Sequence, residues 1–412
     1  MYSDTQALSL RTRSRPAVRT AMGEVAIIIG FMSYYIPSEY AVHPAILLAW
    51  KVLLYVTATF GGIMLLVSGR INRRNVTILS YYFWLFIAVR FLAGNGELKL
   101  GSFIQCTGLF AFLEYLLQTR DTRTVMKYFL IAGVAVSLIH FASFLVYMDT
   151  VGGMLQVMRY RGGRVIGLQD QNYYFLTYDN DSVHFFVTII VLLFYYSVYY
   201  NSEAIVYFSA YSAFVLFMYY YKMAATAIVA STYLVGVLAY LYVMRRNRQS
   251  VPSLLCNYRL SILGGIAAEI VPLMIVGNAA LGSIVAVLGK SVTFSGRDRV
   301  WAGSVLYFLR NPIFGMGIED NAITAQRIGI NHCHNLVLEH LYRGGIVAMF
   351  LFLFMLKMYA PPKPDKYKTA IFCAGIIAFF ITAAFDWRMY VPLPFLLFVF
   401  NYYANREEEL PV

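Results

Sequence analysis

Apolar residues run along this chain in long blocks separated by short polar or basic stretches. The blocks fall near 21–40, 44–67, 76–93, 98–117, 128–147, 183–200, 204–221, 224–244, 260–284, 344–359, 369–385 and 391–404. A helix needs about 20 predominantly apolar residues to cross a bilayer. The pattern therefore predicts an all-α integral membrane protein with about 12 transmembrane helices. Two longer segments, roughly 148–182 and 285–343, interrupt the series and are expected to contain short interfacial helices. Residues 21–404 form the membrane domain, flanked by a polar tail at 1–20 and a second tail at 405–412.

Charge gives this layout a direction. Basic clusters sit between the blocks: Arg70, Arg73 and Arg74; Arg120, Arg123 and Lys127; Arg245, Arg246, Arg248 and Arg259; Lys357, Lys363, Lys366 and Lys368. With the first tail, which carries Arg11, Arg13, Arg15 and Arg19, placed in the cytoplasm, twelve spans bring every cluster to that side, as the positive-inside rule requires. Both termini are then cytoplasmic. The start lacks a small-residue cleavage site, so the first span is expected to remain as an anchor. Composition agrees: 60% of residues are apolar, 13% are charged, and mean hydropathy is +0.62. Soluble domains carry about a quarter charged residues. The formal charge is +12, and Cys106, Cys256, Cys333 and Cys373 are too scattered to suggest a disulfide framework.

The orientation leaves an anomaly. The two long segments face outward yet hold Arg159, Arg161, Arg164, Lys290, Arg297, Arg299, Arg310, Arg327 and Arg343. Basic residues there either meet lipid headgroups or form an outward-facing anion site.

The stretch from Ser291 to Gly345 is the most informative. Ser295-Gly296-Arg297-Asp298 has the form of a helix start, a hydroxyl cap with an acid three residues on. Trp301, Val305, Phe308 and Leu309 recur at helical spacing, Asn311-Pro312 stops the run, and Gly315-Met316-Gly317 makes a flexible turn. The result is a short amphipathic helix at the membrane surface, with Arg297 beside the positive end of the helix dipole. Asn331-His332-Cys333-His334-Asn335 follows, then Gly344-Gly345; three of the chain's six histidines are His332, His334 and His340. A His-Cys-His cluster can bind zinc, but no further ligand pair stands at a metal-site spacing, so no metal is expected. A histidine at the outer face suits a general base.

In order, Ser295-Gly296-Arg297, Trp301, Asn311-Pro312-x-x-Gly315-x-Gly317, His334-Asn335 and Gly344-Gly345 resemble the shared region of bacterial O-antigen ligases and O-antigen or capsule polymerases, the WaaL- and Wzy-type membrane glycosyltransferases. The match covers about 55 residues, and the many-helix layout extends it loosely over the rest. The resemblance implies an enzyme of the bacterial plasma membrane, without metal or other cofactor, that takes a glycan from an undecaprenyl diphosphate carrier on the outer face. It assigns Arg297 to the diphosphate and His334 to catalysis. It also implies as partners a carrier-linked oligosaccharide, an acceptor glycan, membrane lipids, and flippase and chain-length regulator proteins, with no nucleic acid.

Two further elements resemble parts of the same family. Tyr221-Lys222-Met223-Ala224-Ala225 stands where relatives open a helix with Ser/Thr-Arg-small, so Lys222 is a candidate for the diphosphate as a point charge instead of a two-pronged donor. Arg159-Tyr160-Arg161-Gly162-Gly163-Arg164, followed by Asp170-Gln171-Asn172, resembles an upstream Arg-x-x-Gly…Asn element, with Arg164 the first candidate and Arg161 a second. His332 and Asn335 are further candidates for substrate contact. The polymerase reading is preferred, with the ligase and a lipid-linked sugar transporter or flippase as alternatives. A transporter would place polar groups in broken helices near the bilayer midplane.

Overall fold

The computed structural model describes residues 22–39, 41–94, 96–150, 153, 173–177, 179–275, 296–387 and 392–406. Among them nine helices are long and apolar enough to cross a membrane. They are α2 (Pro44–Val67), α3 (Arg73–Leu92), α4 (Leu100–Thr119), α5 (Thr122–Tyr147), α6 (Asp179–Tyr199), α7 (Ala204–Lys222), α8 (Ala225–Arg246), α12 (Leu336–Met358) and α13 (Lys366–Ala383). Two more apolar helices, α1 (Met22–Ser33) and α14 (Leu393–Ala404), are shorter. The helix α9 (Tyr258–Ile275) carries Pro272 and a buried acid, Glu269. Every expected span thus has a helical counterpart, and no strand occurs among the described residues. Two short helices, α10 (Arg297–Arg310) and α11 (Asn321–Ile328), lie between α9 and α12.

Polar side chains mark where helices begin. Asn72 forms a capping box with Asn75 at the head of α3, Asp121 accepts from Thr124 N–H at 2.7 Å ahead of α5, and Asp365 accepts from Lys368 N–H at 2.7 Å ahead of α13. One expected cap is different. Gly296, not Ser295, precedes α10, with φ 85° and no side-chain cap bond; Ser295 lies outside the described residues. The packed face of α10 also differs from the expected stripe: Val300, Trp301 and Ser304 are buried, while Val305 and Leu309 stay exposed.

Small residues let helices approach where lipid supplies no hydrophobic drive. A Cβ on Gly61 would stand 2.7 Å from the Phe112 backbone, and one on Gly108 would stand 2.2 Å from Ala58 Cβ, so α2 and α4 lie nearly backbone to backbone. The centre of the bundle is α6 and α13, each buried along most of its length.

One end of the bundle is closed by a polar knot around Glu114 of α4, whose carboxylate is fully buried. Oε1 accepts from Tyr359 OH at 2.7 Å and lies 3.4 Å from Arg74 Nε; Oε2 accepts from Tyr403 OH at 2.6 Å and Gln118 Nε2 at 3.0 Å. The Arg74 guanidinium also sits 4.1 Å from the Tyr402 ring centroid. Residues of α3, α4 and α14, together with the residue that ends α12, are thereby joined at a single carboxylate.

Candidate active site

At the opposite end, the segment 331–335 enters α12. Asn335 caps that helix, its Oδ1 accepting from Leu338 N–H at 3.0 Å. Glu339, one turn on, reaches back to accept from Cys333 N–H at 2.7 Å and from Arg343 Nε at 2.6 Å. Arg343 Nη2 donates to the Asn331 carbonyl at 2.8 Å. The first turns of α12 therefore clamp the loop that carries the histidines. Between Cys333 and Asn335, His334 takes a left-handed backbone, φ 53°, which a non-glycine residue rarely adopts unless its surroundings enforce it.

The turn aims two imidazoles at one carboxylate. His332 Nε2 and His334 Nδ1 each lie 3.3 Å from Asp386 Oδ1, and the two ring centroids are 3.9 Å apart. Asp386 follows the end of α13, where its own carbonyl accepts from His184 Nε2 at 2.7 Å. Burial pushes the Asp386 carboxyl up, but the two histidines outweigh it and hold the group well below the usual carboxylate range. The histidines thus favour the charged form of Asp386 within a buried site.

The two histidines are not equivalent. His332 has both nitrogens engaged, Nδ1 with Asn331 Oδ1 at 2.7 Å and Nε2 with Asp386. His334 presents Nδ1 to Asp386, close enough for an ion pair but without hydrogen-bond alignment. Its Nε2 makes no hydrogen bond to any described residue. One nitrogen beside an acid and the other open is the arrangement of an oriented general base. The sequence pattern did not single out Asp386, which joins the two histidines here in place of Cys333. The donor atoms of His332, His334 and Asp386 lie within 4.8 Å of one another, a set able to hold a metal ion.

The other candidate residues are placed unevenly. Arg297 opens α10, and its Nε is buried with no hydrogen-bond partner among the described residues. The same first turns pack toward the histidine loop: the Trp301 ring lies 6.5 Å from that of Phe385, and Val300, Trp301 and Cys333 share one buried cluster. Lys222 ends α7, donates to the Met148 carbonyl, and lies 5.6 Å from the Tyr174 ring. Asn335 is fully buried, with its amide donating to the Glu269 carbonyl at 2.9 Å and the Ala384 carbonyl at 3.3 Å. Its side chain is committed to the protein. Arg161 and Arg164 lie outside the described residues.

Residues 188–353 match the family model described as O-antigen ligase. That region is similar to the O-antigen ligase family. The match supports the O-antigen ligase and polymerase superfamily that the motifs resemble, and it takes in Lys222, Arg297 and His334. Asp386 lies beyond the matched range. No curated protein and no solved structure matches the chain.

Within the matched region, the Asn-Pro and glycine motifs have a structural task. The expected span near 344–359 begins earlier, at Leu336, and α12 is broken at Gly345, φ 67° and ψ −167°. The loop after α10 fills the break. Met316 N–H donates to the Tyr342 carbonyl at 2.6 Å and Gly317 N–H to the Arg343 carbonyl at 2.9 Å, while Ile346 N–H donates to the Pro312 carbonyl at 2.9 Å. A Cβ on Gly345 would meet the Ile313 carbonyl oxygen at 2.1 Å, and one on Gly315 would meet Gly345 N at 2.6 Å. Only glycine admits this backbone-to-backbone contact at both positions.

Proposed function

We propose that the protein is a membrane glycosyltransferase that polymerises undecaprenyl-diphosphate-linked oligosaccharide repeat units of a surface polysaccharide on the outer face of the bacterial plasma membrane. The observation that carries this reading is His334, which has Nδ1 beside the Asp386 carboxylate and Nε2 open, inside the region that matches the O-antigen ligase model. In this mechanism Arg297, Lys222 and Arg164 neutralise the donor diphosphate, so that charge developing on it in the transition state is stabilised. His334 Nε2 removes the proton from the acceptor hydroxyl, and Asp386 holds the ring and stabilises the imidazolium that forms. The hydroxyl oxygen attacks the anomeric carbon opposite the diphosphate. The new glycosidic bond forms as the bond to the diphosphate breaks, and configuration inverts. No metal takes part, the His332–His334–Asp386 set serving as base and orienting acid.

The description of the matched family favours a second reading, transfer of the finished glycan to lipid A core, cell wall or protein. A broken helix was the mark expected of a transporter, but the break in α12 is closed by the 312–317 loop, which supports an enzyme over a carrier. The test is purified protein with carrier-linked repeat units, analysed by gel. A ladder of lengthening products that persists in EDTA is expected. Products formed only when a separate acceptor is added would favour the ligase reading, and no glycan transfer to any acceptor would end both.

A further inference from the structure

Glu269 is an ionisable residue in an apolar helix, fully buried and without a basic partner among the described residues. Such residues are costly within a membrane-spanning bundle and rarely kept without a task. Its Oε2 accepts from Leu336 N–H at 3.1 Å, one of the first-turn donors that α12 cannot satisfy itself. Its backbone carbonyl accepts from Asn335 Nδ2, and the same Asn335 nitrogen donates to the Ala384 carbonyl, two residues before Asp386. Glu269 therefore ties α9 to the corner that immediately follows His334 and, through Asn335, to the end of α13 that bears Asp386. The strained left-handed turn at His334 is bounded on one side by Cys333, held by Glu339, and on the other by this link.

We propose that Glu269 is a positioning residue that fixes the His334–Asn335 corner against Asp386, so that the base stands in its productive place. The proposal rests on His334 being the base. Its essential atom is the acceptor oxygen on Leu336 N–H, so an amide should serve in place of the carboxylate. A misplacement of about 1 Å costs on the order of 10²-fold in rate.

The test compares Glu269→Ala and Glu269→Gln in the full-length protein, reading hydrogen exchange of the 331–340 backbone and steady-state transfer. Glu269→Ala should speed exchange of the corner and lower kcat about 10²-fold, while KM for the donor changes less than about twofold. Glu269→Gln should restore both exchange and kcat to within about threefold of wild type. Wild-type exchange and kcat in Glu269→Ala would overturn the proposal. So would a Glu269→Gln variant as impaired as Glu269→Ala, or a general loss of donor affinity and protection across the bundle. The exchange readout does not depend on glycan transfer. An inactive wild type would defeat the functional reading while the corner could still be judged.

Discussion

Two buried carboxylates stand at opposite ends of this bundle, and they are used differently. Glu114 has both oxygens saturated by tyrosines and a glutamine, with an arginine alongside, and it joins four segments that are far apart in sequence. Asp386 offers one oxygen to two histidines at 3.3 Å each, and one of those histidines keeps a nitrogen open. The first site is complete in itself. The second leaves one histidine nitrogen open, which is what a base that must change protonation during a reaction requires. The comparison teaches that a buried acid in a membrane bundle is read by whether its partners keep a reactive atom open, not by its burial.

The comparison breaks most visibly at His334. His334→Ala should lower transfer by about 10²–10⁴, the usual worth of a general base, while donor binding persists because the cationic residues hold the diphosphate. His332→Ala should keep a substantial part of the activity, since both of its nitrogens face protein groups. Single-turnover transfer with donor binding measures both, and an active His334→Ala beside a dead His332→Ala would reverse the assignment. Arg297→Ala should abolish transfer in a folded protein, and Arg297→Lys should recover little because a point charge replaces a two-pronged donor. Donor binding and transfer at matched expression decide it. Glu114→Ala should act on the other side of the comparison. Breaking a buried pair costs about 3–5 kcal/mol of stability, read as a lower melting point, with transfer per folded molecule unchanged. A specific loss of kcat without loss of stability would place Glu114 in the mechanism after all.

Much of this was legible in the chain because apolar blocks of bilayer length have few other uses. The block at 44–67 and α2 coincide residue for residue. The stop at Asn311-Pro312 was legible for a local reason, proline sterics, whereas the start of α12 at Leu336 was not, the span having been expected from 344. Asp386 was not, because its partners lie more than fifty residues away and it sits at the end of an apolar run, among Phe385 and Trp387. Glu269 and Glu114 carried a signal that could have been used: each is a lone acid inside an apolar block, the placement that marks a functional or structural polar site. The Gly315 and Gly345 pair was visible as motif, but which backbone each glycine admits depends on a contact no spacing encodes. Ser295 was a plausible cap by residue type, yet the backbone turns at Gly296 before the helix begins.

The interruption at Gly345 also divides the mechanical labour of α12. Below it, the first residues of Ile346–Met358 are held by the strip, Ile346 N–H on the Pro312 carbonyl and Val347 N–H on the Ile313 carbonyl. Above it, the turn bearing His340 and Arg343 is fastened to the 312–317 strip by main-chain bonds, independent of side-chain identity. The strip thus splints α12 across its glycine break, and the angle between the two halves is held by the main chain alone.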